Sequence, residues 1–395
     1  MSKVEEYNLV DITSGIHTGL NPRKNFKLNT LDAKFYYVTV KEIASNKVIF
    51  SENTDRINSD AWNVIQNRSH LSKGDILFSG IGTIGKVAYV NEDPKNWNCS
   101  ESVYVIKPFN GLSGKYLYYV LQTNKIIKQY EANSAGSIMK GVRKANLEQL
   151  RIPLPHIKIQ EEIVKILDSF TNLIDALNEE LSLRQKQFEY YREKLLTFDD
   201  NVYTMSLGDC CVIKGRIGFR GYTIKDQVNK GEGAISLSPG NISEGIINYN
   251  QCTYISWDKY YESPEIMINN GDIIFCKTAS VGKVAVINDL PCEATINPQL
   301  VVLKEININK KYLYYYLSSN SIQNKVKSLA GVGSVPNISQ SILNDLDISV
   351  PSSQVMKSIV EKLDAFESLI SSLKEEIALR QKQYEYYREK LLTFD

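Results

Sequence analysis

The chain has 395 residues, too many for one ordinary domain and enough for two hydrophobic cores. Hydrophobic residues make up 43% and charged residues 23%, and 46 basic against 45 acidic side chains leave a net charge of +1. This balance excludes a generally basic nucleic-acid binder, so any charge that attracts DNA must be local or must come from a partner.

Features that would indicate secretion, a membrane or a metal are absent from the sequence. The N-terminus, MSKVEEYNLV, lacks the pattern of a signal peptide, and no apolar run approaches the ~18 residues of a membrane span. Six cysteines form no C-x-x-C pair, and three histidines offer no zinc-ligand spacing. We therefore expect a cytoplasmic protein with reduced cysteines and no metal of its own.

The first part of the chain predicts a mixed segment in which strands predominate. Apolar runs such as FYYVTV (35–40), DILF (75–78) and VYVIK (103–107) are bounded by Gly, Asn and Ser turns, as strands are. KYLYYVLQTNKIIKQY (115–130) reads as a helix. Pro153 and Pro155 then end the last strand of this segment.

A long helix with a coiled-coil period follows. Its apolar positions alternate in steps of four and three, which is a 3.5-residue period. About 36 residues at ~1.5 Å each give a rod of roughly 54 Å. The seam residues, which are those that carry this period, include Phe170, Ile174, Leu177, Leu181, Arg184, Phe188, Tyr191 and Leu195.

The second half of the chain repeats the first. RQKQFEYYREKLLTF (184–198) returns 196 positions later (380 − 184) as RQKQYEYYREKLLTF (380–394). The globular segments correspond more weakly, as in KGDILFSGIGTIGKVAYV (73–90) and NGDIIFCKTASVGKVAVI (270–287). The second seam contains Phe366, Ile370, Leu373, Ile377, Arg380, Tyr384, Tyr387 and Leu391.

The long helices allow two readings. Each could pack on its own globular segment, or the two could pair with each other and act as a spacer, which the regular seam favours. Arg184 and Arg380 would then fix the register or contact a carboxylate of a partner. Tyr190 and Tyr386 flank the seam and suit a further protein surface.

Enzyme motifs fail on inspection. Gly80 to Lys86 spells G-x-x-x-x-G-K, but Val87 stands where a phosphate loop needs Ser or Thr, and the second half lacks the first glycine. The N/D-P-P-Y motif of adenine methyltransferases is also absent. A turn between two strands explains the stretch, with Gly85 and Gly282 in conformations that other residues avoid. We therefore expect a chain without a catalytic site.

Basic, Gly-rich loops at matching places in the two halves are candidates for contacting DNA. Arg and Lys read guanine or neutralise phosphates, Asn suits adenine, and Ser and Thr hold phosphates. Loops that differ on two matched frames suit two different half-sites, although ordinary solvated loops have such residues too. The candidates are Thr18, Arg23, Lys24, Lys27, Lys140, Arg143 and Lys144 in the first half and Lys214, Arg216, Arg220, Tyr222, Lys225, Ser334 and Asn337 in the second.

The whole arrangement resembles the specificity subunit of Type I restriction–modification systems, over nearly the full chain. The resemblance lies in G-D-I-L-F (74–78), the following G-T-I-G-K-V (82–87), and I-P-L-P leading into Q-E-E-I-V-K-I-L-D (160–168), in that order and duplicated. The second copy lacks Q-E-E at its helix entry but keeps Ile359-Val360 and Leu363-Asp364.

This resemblance implies an α+β fold with four segments. Two β-rich, mixed target-recognition domains would occupy residues 1–158 and 200–353. Two long helices, at 159–199 and 354–395, would pair as an antiparallel coiled coil about a pseudo-two-fold axis.

The resemblance also implies a function and a set of partners. Each domain would read one half of a bipartite double-stranded DNA target, and the helices would set the gap between the halves. Two methyltransferase subunits and two motor–nuclease subunits would assemble on the chain, bringing S-adenosylmethionine, ATP and magnesium, none of which this chain would hold. The alternative is a scaffold that does not bind DNA, or an inactive or anti-restriction relative.

Overall fold

The computed structural model describes residues 4–109, 111–132, 141–218, 221–331 and 335–394. The chain divides into two compact units. Unit 1 is Met1–Asn178 with Glu375–Asp395, and unit 2 is Glu179–Lys374. Each unit therefore contains one globular part and a portion of both long helices. We call these parts globe 1 (residues 4–156) and globe 2 (residues 197–352).

Globe 1 is built from short strands and helices and is followed by the first long helix. The strands are β1 (Glu6–Asn8), β2 (Thr13–Thr18), β3 (Phe35–Val38), β4 (Ile43–Ala44), β5 (Lys47–Val48), β6 (Arg56–Ile57), β7 (Ile76–Ser79), β8 (Val87–Tyr89), β9 (Trp97–Cys99), β10 (Val103–Pro108) and β11 (Arg151–Pro153). The helices are α1 (Pro22–Asn25), α2 (Ser59–Ser69), α3 (Gly114–Val120), α4 (Asn124–Ala132), α5 (Lys144–Glu148) and the long α6 (Ile157–Leu196).

The central sheet of globe 1 has the order β2-β10-β7-β8 and is antiparallel. Its side chains alternate between two cores. Ile76 and Phe78 face a core shared with α3 and α6, whereas Leu77 and Val105 face a core shared with β3 and β9. Because both faces of the sheet are covered, its strands read as unbroken apolar runs rather than as alternating ones. A second sheet, β6-β3-β9, lies in the other layer.

Globe 2 is built in the same way and is followed by the second long helix. Its strands are β12 (Thr204–Ser206), β13 (Val212–Gly215), β14 (Gln227–Val228), β15 (Ala234–Leu237), β16 (Ile242–Ser243), β17 (Ile246–Ile247), β18 (Thr253–Ile255), β19 (Ile273–Cys276), β20 (Val284–Val286), β21 (Ala294–Ile296), β22 (Leu300–Lys304) and β23 (Asp347–Ser349). Its helices are α7 (Leu207–Cys210), α8 (Trp257–Tyr261), α9 (Lys310–Ser318), α10 (Asn320–Leu329), α11 (Gln340–Asn344) and the long α12 (Ser353–Leu392).

The two globes share sheet order and register. The central sheet of globe 2 has the order β13-β22-β19-β20, and its second sheet has the order β14-β18-β15-β21. The second sheets contain one parallel pair each, β3 with β9 and β15 with β21. Strand β14, on the outer side of β18, has no counterpart in the β6-β3-β9 sheet.

The expected turn between two strands is confirmed in both globes. Gly85 has a φ of 82° and Gly282 a φ of 97°, in the region that favours glycine. A Cβ on Gly85 would lie 2.1 Å from the Tyr130 hydroxyl, and one on Gly282 would lie 2.3 Å from Oε1 of Gln323. Both turns therefore need glycine for their conformation, and the turn at Gly85 also needs it for space, because the Tyr130 ring is buried there.

The lysine after each of these glycines ties the two layers of its globe together. Nζ of Lys86 donates to the carbonyl of Val40 at 2.8 Å, and Nζ of Lys283 donates to the carbonyl of Ile242 at 3.0 Å. Each ammonium group thus satisfies a backbone acceptor inside its own globe, which explains the G-K pair without a phosphate.

The start of each long helix packs on the globe that precedes it. In unit 1, Asp168 of α6 accepts from Nζ of Lys115 at 2.6 Å and from the Tyr119 hydroxyl at 2.7 Å. In unit 2, Asp364 of α12 makes the same contacts, with Nζ of Lys311 at 2.7 Å and the Tyr315 hydroxyl at 2.8 Å.

The end of α6 belongs to unit 2 and the end of α12 belongs to unit 1, and each packs within that unit. In unit 1, Phe170 of α6 stacks on Tyr387 of α12 with ring centroids 5.4 Å apart, and in unit 2 Tyr191 stacks on Phe366 at the same distance. The start of one helix meets the end of the other in each case, so the helices run antiparallel. The predicted fold class is confirmed, since each long helix packs on a globe and also pairs with the other helix. Their role as a spacer stays a prediction. The four-segment division of the chain stays a prediction.

Candidate DNA-reading edge and helix surfaces

One end of the central sheet brings the predicted loops of globe 1 together. Thr18, at the end of β2, lies opposite Tyr104 of β10, whose hydroxyl donates to the carbonyl of Val142 at 2.9 Å. The Val142 amide in turn donates to the carbonyl of Gly80, after β7, at 2.8 Å. We call this end of the sheet the reading edge of globe 1.

Globe 2 has a reading edge of the same construction at the ends of β13, β22 and β19. The Ile338 amide donates to the carbonyl of Lys277 at 2.9 Å, and the Thr278 hydroxyl donates to Oδ1 of Asn337 at 2.7 Å. Two loops that are about sixty residues apart in sequence therefore meet beside the same turn in both globes.

The predicted DNA contacts of globe 1 fall on this edge only in part. Thr18 is half-buried and accepts from Nη2 of Arg68 at 3.5 Å. Arg143 and Lys144 are exposed where α5 begins, and Lys144 lies 3.6 Å from the Glu148 carboxylate. Lys27 is exposed in the loop before β3. The whole of Lys140 and the side chains of Arg23 and Lys24 lie outside the described residues.

In globe 2, the candidate contact Arg216 is buried. It is 6% exposed, and its Nε donates to the carbonyl of Ile296 at 3.3 Å. Its guanidinium lies 5.1 Å from the ring of Tyr222, whose hydroxyl is 2.7 Å from Oγ of Ser236. Burial lowers the pKa of Arg216. This arginine is placed to hold the loop in position, with little surface left for a base.

The other predicted contacts of globe 2 are spread over its loops. Lys214 is exposed on β13, Lys225 is exposed in the turn before β14, and Asn337 is exposed on the reading edge. Arg220 and Ser334 lie outside the described residues. The DNA-contacting role of all these residues stays a prediction.

Sequence reasoning missed residues that the fold brings to the edge of globe 1. Arg68, at the end of α2, reaches Thr18 from fifty positions away, and the ring of His70 lies 5.1 Å from that of His17. The amino-acid composition of a loop cannot reveal such neighbours, because they belong to a different secondary-structure element. Only the pairing of β2 with β10 and the packing of α2 reveal them.

The predicted seam residues lie on the covered side of the two long helices. Each is buried or half-buried, while the positions between them are mostly exposed. The set is Phe170, Ile174, Leu177, Leu181, Arg184, Phe188, Tyr191 and Leu195 on α6 and Phe366, Ile370, Leu373, Ile377, Arg380, Tyr384, Tyr387 and Leu391 on α12. Such a covered stripe is what pairing by these residues requires.

The two seam arginines, Arg184 and Arg380, form ion pairs with carboxylates of their own helices. Arg184 lies 3.3 Å from Oε1 of Glu180, and Arg380 lies 3.3 Å from Oε1 of Glu376, one helical turn earlier in each case. Their Nη1 atoms also donate to Gln187 and Gln383, at 3.0 and 3.1 Å. These contacts give both guanidinium groups partners on their own helices.

A second apolar stripe on the long helices faces solvent. Tyr190 and Tyr386 are each 60% exposed, and Leu183 and Leu379 are 58% and 65% exposed. These two pairs are 196 positions apart, as the seam residues are. The same exposed chemistry is therefore presented twice, which suits two copies of one partner.

Two further properties of the described ranges concern metals and membranes. There, no group of three or more His, Cys, Asp or Glu side chains could hold a metal ion. Within the same ranges, no helix combines the length and the apolar character needed to cross a membrane.

Comparison with known proteins places these features in a family. The model of the type I restriction modification DNA specificity domain matches residues 1–183 and 200–379. The specificity subunit of the type I restriction enzymes EcoR124I and EcoR124II from Escherichia coli is 32% identical over 295 residues, which is 71% of this chain and 70% of that subunit. The putative specificity subunit S.HindORF215P of Haemophilus influenzae is 31% identical over 324 residues, 76% and 77% of the two chains.

Solved structures share the fold. A chain from a type I R-M system, solved in work on complex assembly and conformational transition, has a TM-score of 0.60 at 16% identity, with 99% of this chain and 98% of that chain covered. The S subunit of a type I restriction–modification system from M. genitalium has a TM-score of 0.54 at 17% identity, with 100% and 97% covered.

Proposed function

Because the chain belongs to the family of Type I restriction–modification DNA specificity subunits, we propose that each globe reads one half of a bipartite DNA target. The main support is the reading edge, which has the same construction in both globes but carries different exposed side chains. A shared frame with different side chains suits two different half-sites, since base edges are distinguished by their pattern of donors and acceptors.

We propose that the paired helices set the gap between the half-sites and bind partner subunits. The exposed pairs Leu183 and Tyr190 on α6 and Leu379 and Tyr386 on α12 offer two equal apolar surfaces. Tyrosine and leucine on such a surface favour protein contacts. Two methyltransferase subunits would bind there, and two motor–nuclease subunits would complete the restriction complex.

The chemistry in this proposal belongs to the partners. The methyltransferase subunits would hold S-adenosylmethionine, and the motor–nuclease subunits would hold ATP and magnesium. This chain would contribute sequence selection, as a non-catalytic subunit.

The test is to co-express the chain with its neighbouring methyltransferase subunit and to map N6-methyladenine across the host genome. We expect one bipartite motif with a fixed gap and one methylated adenine in each half. Asn337→Ala, on the reading edge of globe 2, should relax the motif in one half only, while Lys158→Ala, an exposed change on α6, should leave it intact.

Two outcomes would contradict the proposal. A stable complex that methylates nothing would indicate a scaffold or an inactive relative. Relaxation of both halves by Asn337→Ala would mean that the two globes do not read separate half-sites.

A further inference from the structure

The imidazole of His17 occupies a fixed place on β2, the edge strand of the central sheet of globe 1. Its ring meets that of His70 edge-on, with centroids 5.1 Å apart and planes at 83°. A Cβ on Gly15 would lie 2.5 Å from Nε2 of His17. The glycine two residues earlier therefore provides the space in which the ring lies.

The groups around this ring are mostly basic. His70, Lys107 on β10 and Lys144 on α5 face His17, and both lysines are paired with carboxylates, Lys107 with Asp75 at 2.7 Å and Lys144 with Glu148 at 3.6 Å. Burial is the largest cause that lowers the pKa of His17, and His70, Lys107 and Lys144 lower it further, against Asp75. Without a bound anion, the His17 ring is therefore held in its neutral form at neutral pH.

The register of the central sheets gives His17 a counterpart in globe 2. Ile106 of β10 lies opposite Ile76, and Leu303 of β22 lies opposite Ile273 in the same way. The residue before each of these, Val105 in β10 and Val302 in β22, pairs with the edge strand: Val105 lies opposite His17, and Val302 lies opposite Lys214.

The same place on the edge strand thus carries an imidazole in globe 1 and an ammonium group in globe 2. The remaining neighbours differ as well. Val142 and Ile338 make the same backbone contact in the two globes, so Lys144, two residues later, corresponds to Gln340. Gln340 uses its amide to donate to the carbonyl of Ile213 at 2.8 Å. Globe 1 therefore has a histidine at the place where globe 2 has a lysine.

We propose that His17 and Lys214 are equivalent contacts to a DNA backbone phosphate, and that globe 1 takes up a proton at His17 when DNA binds. The inference rests on the proposed DNA-reading function and adds a ligand group and a proton to one half of it. A phosphate beside the ring favours the imidazolium, which neutral pH does not supply in the free protein. Lys214 is already charged, so globe 2 needs no proton.

The test measures the affinity of the methyltransferase complex for duplex DNA carrying its target, between pH 6 and pH 8 at one salt concentration. Wild-type affinity should weaken as the pH rises, by at most about tenfold per pH unit for one linked proton. His17→Lys should remove the dependence and keep tight binding. Lys214→His should add a second proton, and His156→Gln, at an exposed histidine before α6, should change nothing.

Calorimetry on the wild type makes the test independent of the variants. Binding heats measured in buffers with different ionisation enthalpies give the number of protons taken up. No uptake by the wild type, or the same pH dependence in His17→Lys, would overturn this inference and leave the DNA-reading function standing. No binding of target DNA at any pH would remove both.

Discussion

At the scale of single residues, the hydroxyl of Tyr315 stands between two carboxylates. It lies 2.8 Å from Oδ1 of Asp364 and 2.9 Å from Oε2 of Glu367, and a phenol has only one proton to donate. Asp364 is also ion-paired with Lys311 at 2.7 Å. The Tyr315 hydroxyl can therefore donate to only one of these two carboxyl groups at a time.

The environment of Glu367 favours the protonated form of its carboxyl group. Burial raises its pKa and the charge of Asp364 raises it further, while the Tyr315 hydrogen bond and the cations Lys311 and Arg192 oppose the shift. Tyr314, the neighbour of Tyr315 on α9, also faces this carboxyl group. In unit 1 the corresponding position is Thr171, whose hydroxyl lies 3.4 Å from that of Tyr119 and does not titrate.

We predict that Glu367 makes the stability of unit 2 depend on pH. A carboxyl group with a raised folded-state pKa stabilises fully below its unfolded value, near pH 4.3, and the contribution is lost as the pH rises through the folded value. The loss is at most about 1.4 kcal/mol per pH unit between the two values, and less here because the side chain is only half-buried. Glu367→Gln keeps a donor at every pH and should remove this dependence.

Thermal unfolding from pH 5 to pH 8 checks the prediction. The difference between the wild type and Glu367→Gln should grow as the pH rises. Glu361→Gln changes an exposed carboxylate of α12 and serves as the control. Parallel pH profiles for the wild type and Glu367→Gln would mean that Glu367 is ionised in the folded protein.

At the scale of elements, the duplicated EYYREK segment has a task within its own chain. Glu389 near the end of α12 accepts from the Asn124 amide, at 3.1 Å to both carboxylate oxygens, where α4 begins. Glu193 on α6 accepts in the same way from the Asn320 amide at 2.6 Å, where α10 begins. Each carboxylate satisfies amides that have no acceptor in their own helix and meets the positive end of its dipole. The segment is therefore repeated because each globe needs this contact once, besides any partner.

We predict that Glu389→Ala and Glu193→Ala have equal effects in opposite units. Loss of such a cap costs about 1 kcal/mol. Glu389→Ala should speed hydrogen exchange of the amides in the first turn of α4 and leave α10 unchanged, and Glu193→Ala should do the reverse. The two variants thus control each other. A change that spreads equally to both helices would show that the carboxylates do not act as local caps.

The elements also show how far the sequence could predict the structure. The long helices and several strands were predictable because a 3.5-residue period and buried strands leave local patterns. The capping of α4 by Glu389 could not be predicted, because 265 positions separate the two residues in the sequence. A hydrophobic period shows which face of a helix is covered, but not which element covers it. Arg216 belongs to a Gly-rich loop that suggested a contact with DNA, yet the fold buries its side chain. The equivalence of His17 and Lys214 could be recognised only from the pairing of the strands. The sequence does not show that pairing, because the loops between the strands differ in length in the two globes.

At the scale of the whole molecule, the end of the chain belongs to the first unit. Residues 375–395 group with residues 1–178, and Tyr384 and Leu392, each 3% exposed, lie in a core with Leu117 and Tyr119 of α3. Unit 2 contains residues 179–374 and takes the start of α12 instead. Globe 1 therefore depends on a segment that lies far later in the sequence than globe 1 itself.

We predict that deletion of residues 375–395 destabilises unit 1 selectively, although every residue of globe 1 is retained. Each large apolar side chain withdrawn from a core costs about 1.5–3 kcal/mol, and the deletion withdraws both Tyr384 and Leu392. Hydrogen exchange followed by mass spectrometry should show faster exchange in α3, α4 and the central sheet of globe 1. The corresponding elements of globe 2, α9 and α10, should keep the protection that they have in the full chain.

The control for this deletion is the full-length double variant Leu379→Ala and Tyr386→Ala. It changes exposed positions of the same segment and should leave both units protected. Equal loss of protection in both globes, or none, would contradict the assignment of this segment to unit 1. If the loss is selective, the deleted chain should also fail to read the half-site of globe 1 and keep that of globe 2, because a reading edge needs a folded sheet beneath it.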